Sequence, residues 1–262
     1  MPPRGTHDTS PGERPGGSRL HRTKTSDAVV DHVIDLLFSG RLRAGDRIDL
    51  TAIADDLGVS RAPVREALVV LERDGLVTIP FHKGAFVSRF DAETLHEAFE
   101  LYGMLSALGS SRVARGQDSG VLAALGRIVA EAGAAASIEE WEQHARAFRR
   151  TVNLAVAGSR LRSLLRTFSG LVPAASRLSL PRSVDGEREL LQREYDAMLA
   201  GDPHDAASAV IEHLALIGDI AVQTLRERGI LEPAPASRAH DHPALRALVA
   251  LDPPFRGAAG NP

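Results

Sequence analysis

The sequence contains no cysteine, which excludes disulfide bonds and thiolate metal sites. Lysine is almost as scarce, with only Lys24 and Lys83 among 262 residues. Arginine therefore carries nearly all the positive charge, and its planar guanidinium suits bidentate contact with phosphate or guanine. A GC-rich genome also favours arginine over lysine, and that origin weighs most for surface arginines in the C-terminal half. There is no excess of positive charge, the net value being −3, so a nucleic-acid surface has to arise from charge distribution. No apolar run is long enough to span a bilayer, and residues 1–22 lack the apolar stretch of a secretory signal. No membrane association and a cytoplasmic location are the expectations. No nucleophile–base motif, phosphate loop, dinucleotide fingerprint or metal cluster stands out, which argues against an enzyme.

What is present divides into four stretches. Residues 1–22 read as a disordered basic arm, and 232–262, rich in Pro, Ala and Gly, as a mostly disordered tail with a short helix at 242–251. In 23–89, Ser26 is placed to N-cap a helix that runs through Ser39 and ends at Gly40. Thr51 to Leu57 forms a second helix stopped by Gly58, and Ser60 caps a third that ends before Gly75. The runs Leu76 to Ile79 and Ala85 to Val87 then read as a hairpin around Phe81-His82-Lys83-Gly84. From 90 to 231 the pattern has a helical period, with spans near 91–115, 118–133, 137–157, 159–179, 185–200 and 203–228 and a break at Pro181. The fold class expected is mainly α: a winged helix-turn-helix followed by a bundle of about six helices.

The stretch Leu57-Gly58-Val59-Ser60-Arg61-Ala62-Pro63-Val64-Arg65-Glu66-Ala67-Leu68 is the most informative. Gly58 suits a tight turn between two helices. Pro63 falls in a first helical turn, where a missing N–H costs nothing. Val64, Ala67, Leu68 and Leu71 form an inward face, and Arg61 and Arg65, four apart, project together from the other side. At a helix N-terminus such a pair can enter the major groove and meet guanine O6 and N7. The plainer alternative is a solvated face paired with Glu66 and Glu72.

With Leu42-Arg43-Ala44-Gly45-Asp46-Arg47-Ile48, Asp74-Gly75-Leu76-Val77 and Lys83-Gly84-Ala85-Phe86-Val87, this stretch resembles the GntR family of bacterial regulators over residues 24–88. The family pattern runs L-x-P-G-x-x-L, V-S-R-x-P-V-R-E-A-L-x-x-L, G-L-V and R-G-x-F-V, and Ala44 departs from it where the family has proline. The resemblance implies that Arg61 and Arg65 read bases and that Ser60 and Thr51 meet phosphate. It also implies that His82, Lys83 and Gly84 form a wing tip over the minor groove, with Gly84 serving the turn. The 24–88 segment is slightly acidic, so one module binds weakly. Two modules of a homodimer on palindromic double-stranded operator DNA, helped by Arg14, Arg19, Arg22 and Lys24, would supply the affinity.

The helical part resembles the FCD domain of the FadR subfamily, on helix count, length, Phe148, Gly158, Leu161 and the run Ala206 to His213. Many members hold a divalent metal there through one acid and three histidines. The matching positions here are Ala145, Arg149, Tyr195 and His213, so neither a metal nor any other cofactor is expected. His144 is offset by one residue and should point away. Arg149 then holds an acidic or acyl-type small-molecule effector, with Tyr195 and His213 as neutral donors. Alternatively, Arg149 pairs with an internal acid such as Glu194 and the pocket is vestigial. Leu105 and Gly109 stand where the subfamily has Arg and Glu, which suggests a more apolar cavity. Two functions remain: a ligand-responsive regulator, with repression as the family's usual mode, or a DNA-binding protein whose bundle serves only for dimerisation or protein contact.

Overall fold

The structure is a computed structural model that describes residues 16–231 apart from 90 and 169, with side chains from residue 25 onward. The charged side chains of the arm and the tail with its expected helix lie outside the described residues. The N-terminal part runs α1 (Gly16–Phe38), β1 (Arg47–Ile48), α2 (Leu50–Asp56), α3 (Arg61–Arg73), β2 (Val77–Thr78) and β3 (Ala85–Val87). Helix α1 starts earlier than expected, so residues 16–22 are helical rather than part of an irregular arm. Ser26 is therefore no cap; it is a buried residue inside α1. No proline follows Pro15 in this stretch, so nothing there forces the helix to begin at Ser26. Val29, Val33, Ile34 and Leu37 line the buried face of α1, and Gly40, at φ +74°, follows its end.

Strand β1 was missed, because two residues carry no readable periodicity. It pairs with β3 (Arg47 with Phe86, Ile48 with Ala85), and β2 pairs on the other side of β3 (Val77 with Val87). The order is β1-β3-β2, all antiparallel. The wing thus hangs from the strand that precedes α2.

The bundle is α4 (Ala92–Gly116), α5 (Ser119–Gly133), α6 (Ile138–Val156), α7 (Ser159–Arg166), α8 (Leu171–Ala200) and α9 (Pro203–Glu227). Side chains cap four of these starts: Asp91 takes Thr94 N–H, Asp118 takes Gly120 and Val121, Ser137 takes Glu140, and Asp202 takes His204 and Asp205. The break expected at Pro181 lies elsewhere. Pro181 sits inside α8, and the chain turns instead between α7 and α8, ahead of Leu171. A mid-helix proline costs about 3 kcal/mol. Pro181 is exposed, while Leu180 and Ser183 on either side are buried, so packing against α9 outweighs that cost.

One apolar core joins α1, α3 and the hairpin to parts of α4, α8 and α9; a second joins α5, α6 and the far half of α8. Close approach of α4 and α9 depends on Gly218, where a Cβ would stand 3.1 Å from the Phe99 ring.

Gly58 and Gly116 isolate backbone strain from packing, since a Cβ at either meets nothing within 4 Å and only Gly58 has positive φ (+63°). Gly58→Ala is expected to lower the unfolding free energy by about 1–2 kcal/mol. Gly116→Ala should leave it unchanged or raise it by about 0.5–1 kcal/mol. Urea unfolding midpoints check both.

Candidate nucleic-acid face and bundle cavity

Helix α3 buries Pro63, Val64, Ala67, Leu68 and Leu71. Its opposite side carries Arg61, Arg65 and Val69 at four-residue spacing, all exposed, with Val69 62% accessible. Neither arginine forms an ion pair among the described residues. Glu72 accepts the Ile79 N–H at 3.0 Å and so anchors the wing rather than Arg65. Ser60 occupies the N-cap position of α3 but makes no side-chain capping bond. Its exposed hydroxyl and the uncapped first turn form the kind of helix terminus that accepts a phosphate.

Thr51 lies inside the first turn of α2, not at its cap. The cap is Asp49, whose carboxylate accepts Thr51 N–H at 2.8 Å and Ala52 N–H at 3.2 Å. The Ala52 and Thr51 N–H groups, with Arg47 and Arg61 nearby, hold that carboxyl below its ordinary value. The Thr51 backbone is thus already engaged, and only its side chain remains for a phosphate.

At the wing tip, His82 has φ +57° and its ring meets Phe81 edge-on, centroids 3.9 Å apart. Phe81 is 86% exposed. Gly84 has φ +91°, and a Cβ there would come within 3.3 Å of the Arg47 guanidinium. Gly84 therefore serves both the turn and the seating of Arg47. Val69 has no place in the sequence reading, while Arg47 and Phe81 enter it only as members of a motif and a turn, without a site role. An exposed valine and phenylalanine in otherwise patterned elements were the signals available for two of them.

The second site is a cavity of about 510 Å³ bounded by α4, α6, α7, α8 and α9. Trp141, Phe148, Leu180, Leu191 and Ile217 give it apolar walls. Tyr102 also borders it, and burial pushes its hydroxyl above the ordinary value, so the phenol stays neutral. Arg149 and His213 line this space; Tyr195 does not. Arg149 forms a bidentate ion pair with Glu194, with Nη1 to Oε1 at 2.9 Å and Nη2 to Oε2 as the second contact. Ser110 of α4 donates to Glu194 at 2.6 Å and accepts from Arg149 at 3.2 Å. The Glu194 side chain is fully buried. The expected convergence of Arg149, Tyr195 and His213 on one ligand is therefore not what the structure brings together. Adjacent helical residues point about 100° apart. With Glu194 facing Arg149, Tyr195 turns to α5, where its hydroxyl donates to the Leu122 carbonyl at 3.3 Å over Gly126.

The residues present do not fit the subfamily's metal. A guanidinium occupies one ligand position and is already paired, Ala145 offers no donor, and Tyr195 faces elsewhere. No group of three potential ligands gathers among the described residues. His144 pairs with Glu131 at 3.5 Å, away from the cavity. His213 Nε2 lies 3.2 Å from Glu187, which Ser183 also contacts, and His213 Nδ1 is buried without a partner among the described residues. Leu105 and Gly109 do not line the cavity. Gly109 instead admits α6, since a Cβ there would lie 3.2 Å from Asn153 Oδ1.

The cavity wall reaches the N-terminal part through the α7–α8 junction. Leu165, Arg166, Phe168 and Val172 face the cavity. From the other side, Arg73 at the end of α3 donates to the Arg166 carbonyl at 3.3 Å. A Cβ at Gly170 would stand 3.0 Å from Val30 and 3.1 Å from Asp74. The Asp74 side chain is buried, with Oδ2 unpartnered among the described residues, and burial pushes its carboxyl up against the opposing pull of Arg73.

Glu194→Ala would strand the Arg149 charge, and is expected to cost about 3–5 kcal/mol of unfolding free energy. The paired change Arg149→Met with Glu194→Leu should cost far less. Chemical denaturation measures both, and a near-neutral Glu194→Ala would contradict the pairing.

Residues 25–87 match the family described as "Bacterial regulatory proteins, gntR family", and residues 97–216 match the "FCD domain". An uncharacterised HTH-type transcriptional regulator of Mycobacterium tuberculosis is 35% identical over 215 residues, covering 82% of this chain and 88% of the relative. A protein of Paenarthrobacter nicotinovorans named "Probable D-xylose utilization operon transcriptional repressor" is 29% identical, covering 75% of this chain and 88% of its own. Among solved structures, E. coli McbR/YncC shares the fold, with TM-score 0.57, 18% identity, and coverage of 79% and 98%. The relatives are transcriptional regulators rather than enzymes, and no helix among the described residues is long and apolar enough to cross a membrane. With a winged helix-turn-helix ahead of an FCD bundle, the chain belongs to the GntR family and is a DNA-binding transcriptional regulator.

Proposed function

We propose that the chain acts as a homodimeric, ligand-responsive repressor of a palindromic operator. Arg61 and Arg65 read base edges in the major groove. Ser60 and Thr51 meet phosphates, and the wing tip of His82, Lys83 and Gly84 reaches the minor groove. The observation that carries this reading is that Arg61 and Arg65 are exposed, with no ion pair among the described residues, on a helix whose other face is locked into the core. Dimerisation is supported by an apolar stripe exposed on α4, formed by Leu101, Met104 and Leu108. Repression is supported by the Paenarthrobacter relative, named as a repressor.

An open cavity of about 510 Å³ supports effector binding, since a vestigial bundle has no reason to keep one. A bundle kept only for dimerisation finds support in the internal neutralisation of Arg149 by Glu194. The α7–α8 junction favours sensing. An occupant that moves Phe168 or Arg166 would shift the support under the end of α3, and so bias one placement of the reading helices over another.

Arg61→Ala and Arg65→Ala are each expected to weaken specific operator binding about tenfold or more, from the loss of about 1–3 kcal/mol per bidentate contact. Circular dichroism and oligomeric state should not change. Footprints that match the unmodified protein would contradict the assignment. Gly170→Ala touches neither DNA face nor cavity. It should nonetheless shift operator affinity or its effector response, because its Cβ presses on Val30 at 3.0 Å. Unaltered binding curves would retire the junction as the link.

A further inference from the structure

We propose that the bundle cavity binds an amphipathic anion with its apolar body inward and its charged end at the rim, on Arg150 and Arg162. This deepens the sensing reading and depends on it for biological meaning. Five arginines border the cavity (Arg146, Arg149, Arg150, Arg162 and Arg166), against Glu142 and Glu187. They are not equivalent. Arg149 is spent on Glu194, and a ligand anion there would have to displace a fully buried carboxylate. Arg146 is paired with Glu142 on the preceding turn of α6. Arg162 uses its Nε on the Ala157 carbonyl at 2.7 Å, which fixes the guanidinium while leaving both terminal amino groups for a ligand. Arg150 has no ion-pair partner among the described residues, and both Arg150 and Arg162 are exposed.

The interior fits the opposite end of such a molecule. Trp141, Phe148, Leu180 and Leu191 are buried apolar walls, so a body placed there gains from leaving water. Within that lining His213, 7% exposed, has Nδ1 buried without a partner among the described residues. It offers one hydrogen-bonding contact for a hydroxyl or carbonyl along the body. A small hydrophilic acid uses none of these walls. A neutral apolar molecule leaves Arg150 and Arg162 unused. Only an amphiphile with one anionic end satisfies both regions.

The chain has a single tryptophan, Trp141, and it lines the cavity, so energy transfer from its emission reports occupancy. The probes are 1-anilinonaphthalene-8-sulfonate and its uncharged counterpart N-phenyl-1-naphthylamine, titrated into the full-length protein. Both should quench Trp141, with the sulfonate bound about tenfold tighter, as for a charge-assisted contact. The double variant Arg150→Ala, Arg162→Ala should abolish that preference and leave the neutral dye's affinity unchanged. The variant Arg149→Met, Glu194→Leu should retain it. Three results would overturn the proposal: equal affinity for the two dyes, a preference lost with Arg149 and Glu194 but kept without Arg150 and Arg162, or no transfer from Trp141. Gel shifts on a footprinted operator fragment separate the two readings. Sulfonate binding that leaves operator affinity untouched retires sensing and upholds the site.

Discussion

A carboxylate with no access to water cannot remain charged without compensation, and Glu194 is such a group. Its compensation comes from two other helices, as the Arg149 guanidinium of α6 and the Ser110 hydroxyl of α4. That requirement ties α4, α6 and α8 at one point and sets the rotation of α8 about its axis. With Glu194 inward, Tyr195 packs on α5. It also decides the chemistry of the bundle. A guanidinium stands at the position where the FCD resemblance implies a metal ligand, and it is neutralised from inside. The space beside it becomes a mostly apolar chamber with the exposed Arg150 and Arg162 on its border.

The chamber is joined mechanically to the DNA-binding part. Arg73 caps a carbonyl at the end of α7, Arg177 of α8 reaches Asp31 of α1 at 3.2 Å, and Arg228 reaches the Phe38 carbonyl at 3.2 Å. Side chains of α1, α3, α4, α8 and α9 share one apolar core across this seam. Close packing of that kind transmits displacement rather than absorbing it. Gly170 is a tight point of this seam, where even a methyl group meets Val30 and Asp74.

Local chemistry made much of this legible in the chain itself. Gly58, Pro63 and the inward spacing of Val64, Ala67, Leu68 and Leu71 read as a helix-turn-helix, because each residue acts through its own backbone or its own face. Errors arose where distant partners decided. Strand β1 exists because β3 pairs with it. Pro181 stays helical because its neighbours are held by the bundle. Ser26 lies within α1 because the helix continues past it toward the N-terminus. At the cavity, the pairing of Arg149 with Glu194 was one of two open alternatives, and no spacing rule could choose between them.

The sequence by itself determined the helix-turn-helix and its wing, the largely helical part that follows, and which residue types stand along the exposed side of α3. These follow from residue identity and short-range periodicity. Only the tertiary structure decided that Glu194 closes over Arg149, that Tyr195 turns away, and that the α7–α8 junction lies against the end of α3. Each of these depends on where side chains from separate helices meet, and packing alone fixes that.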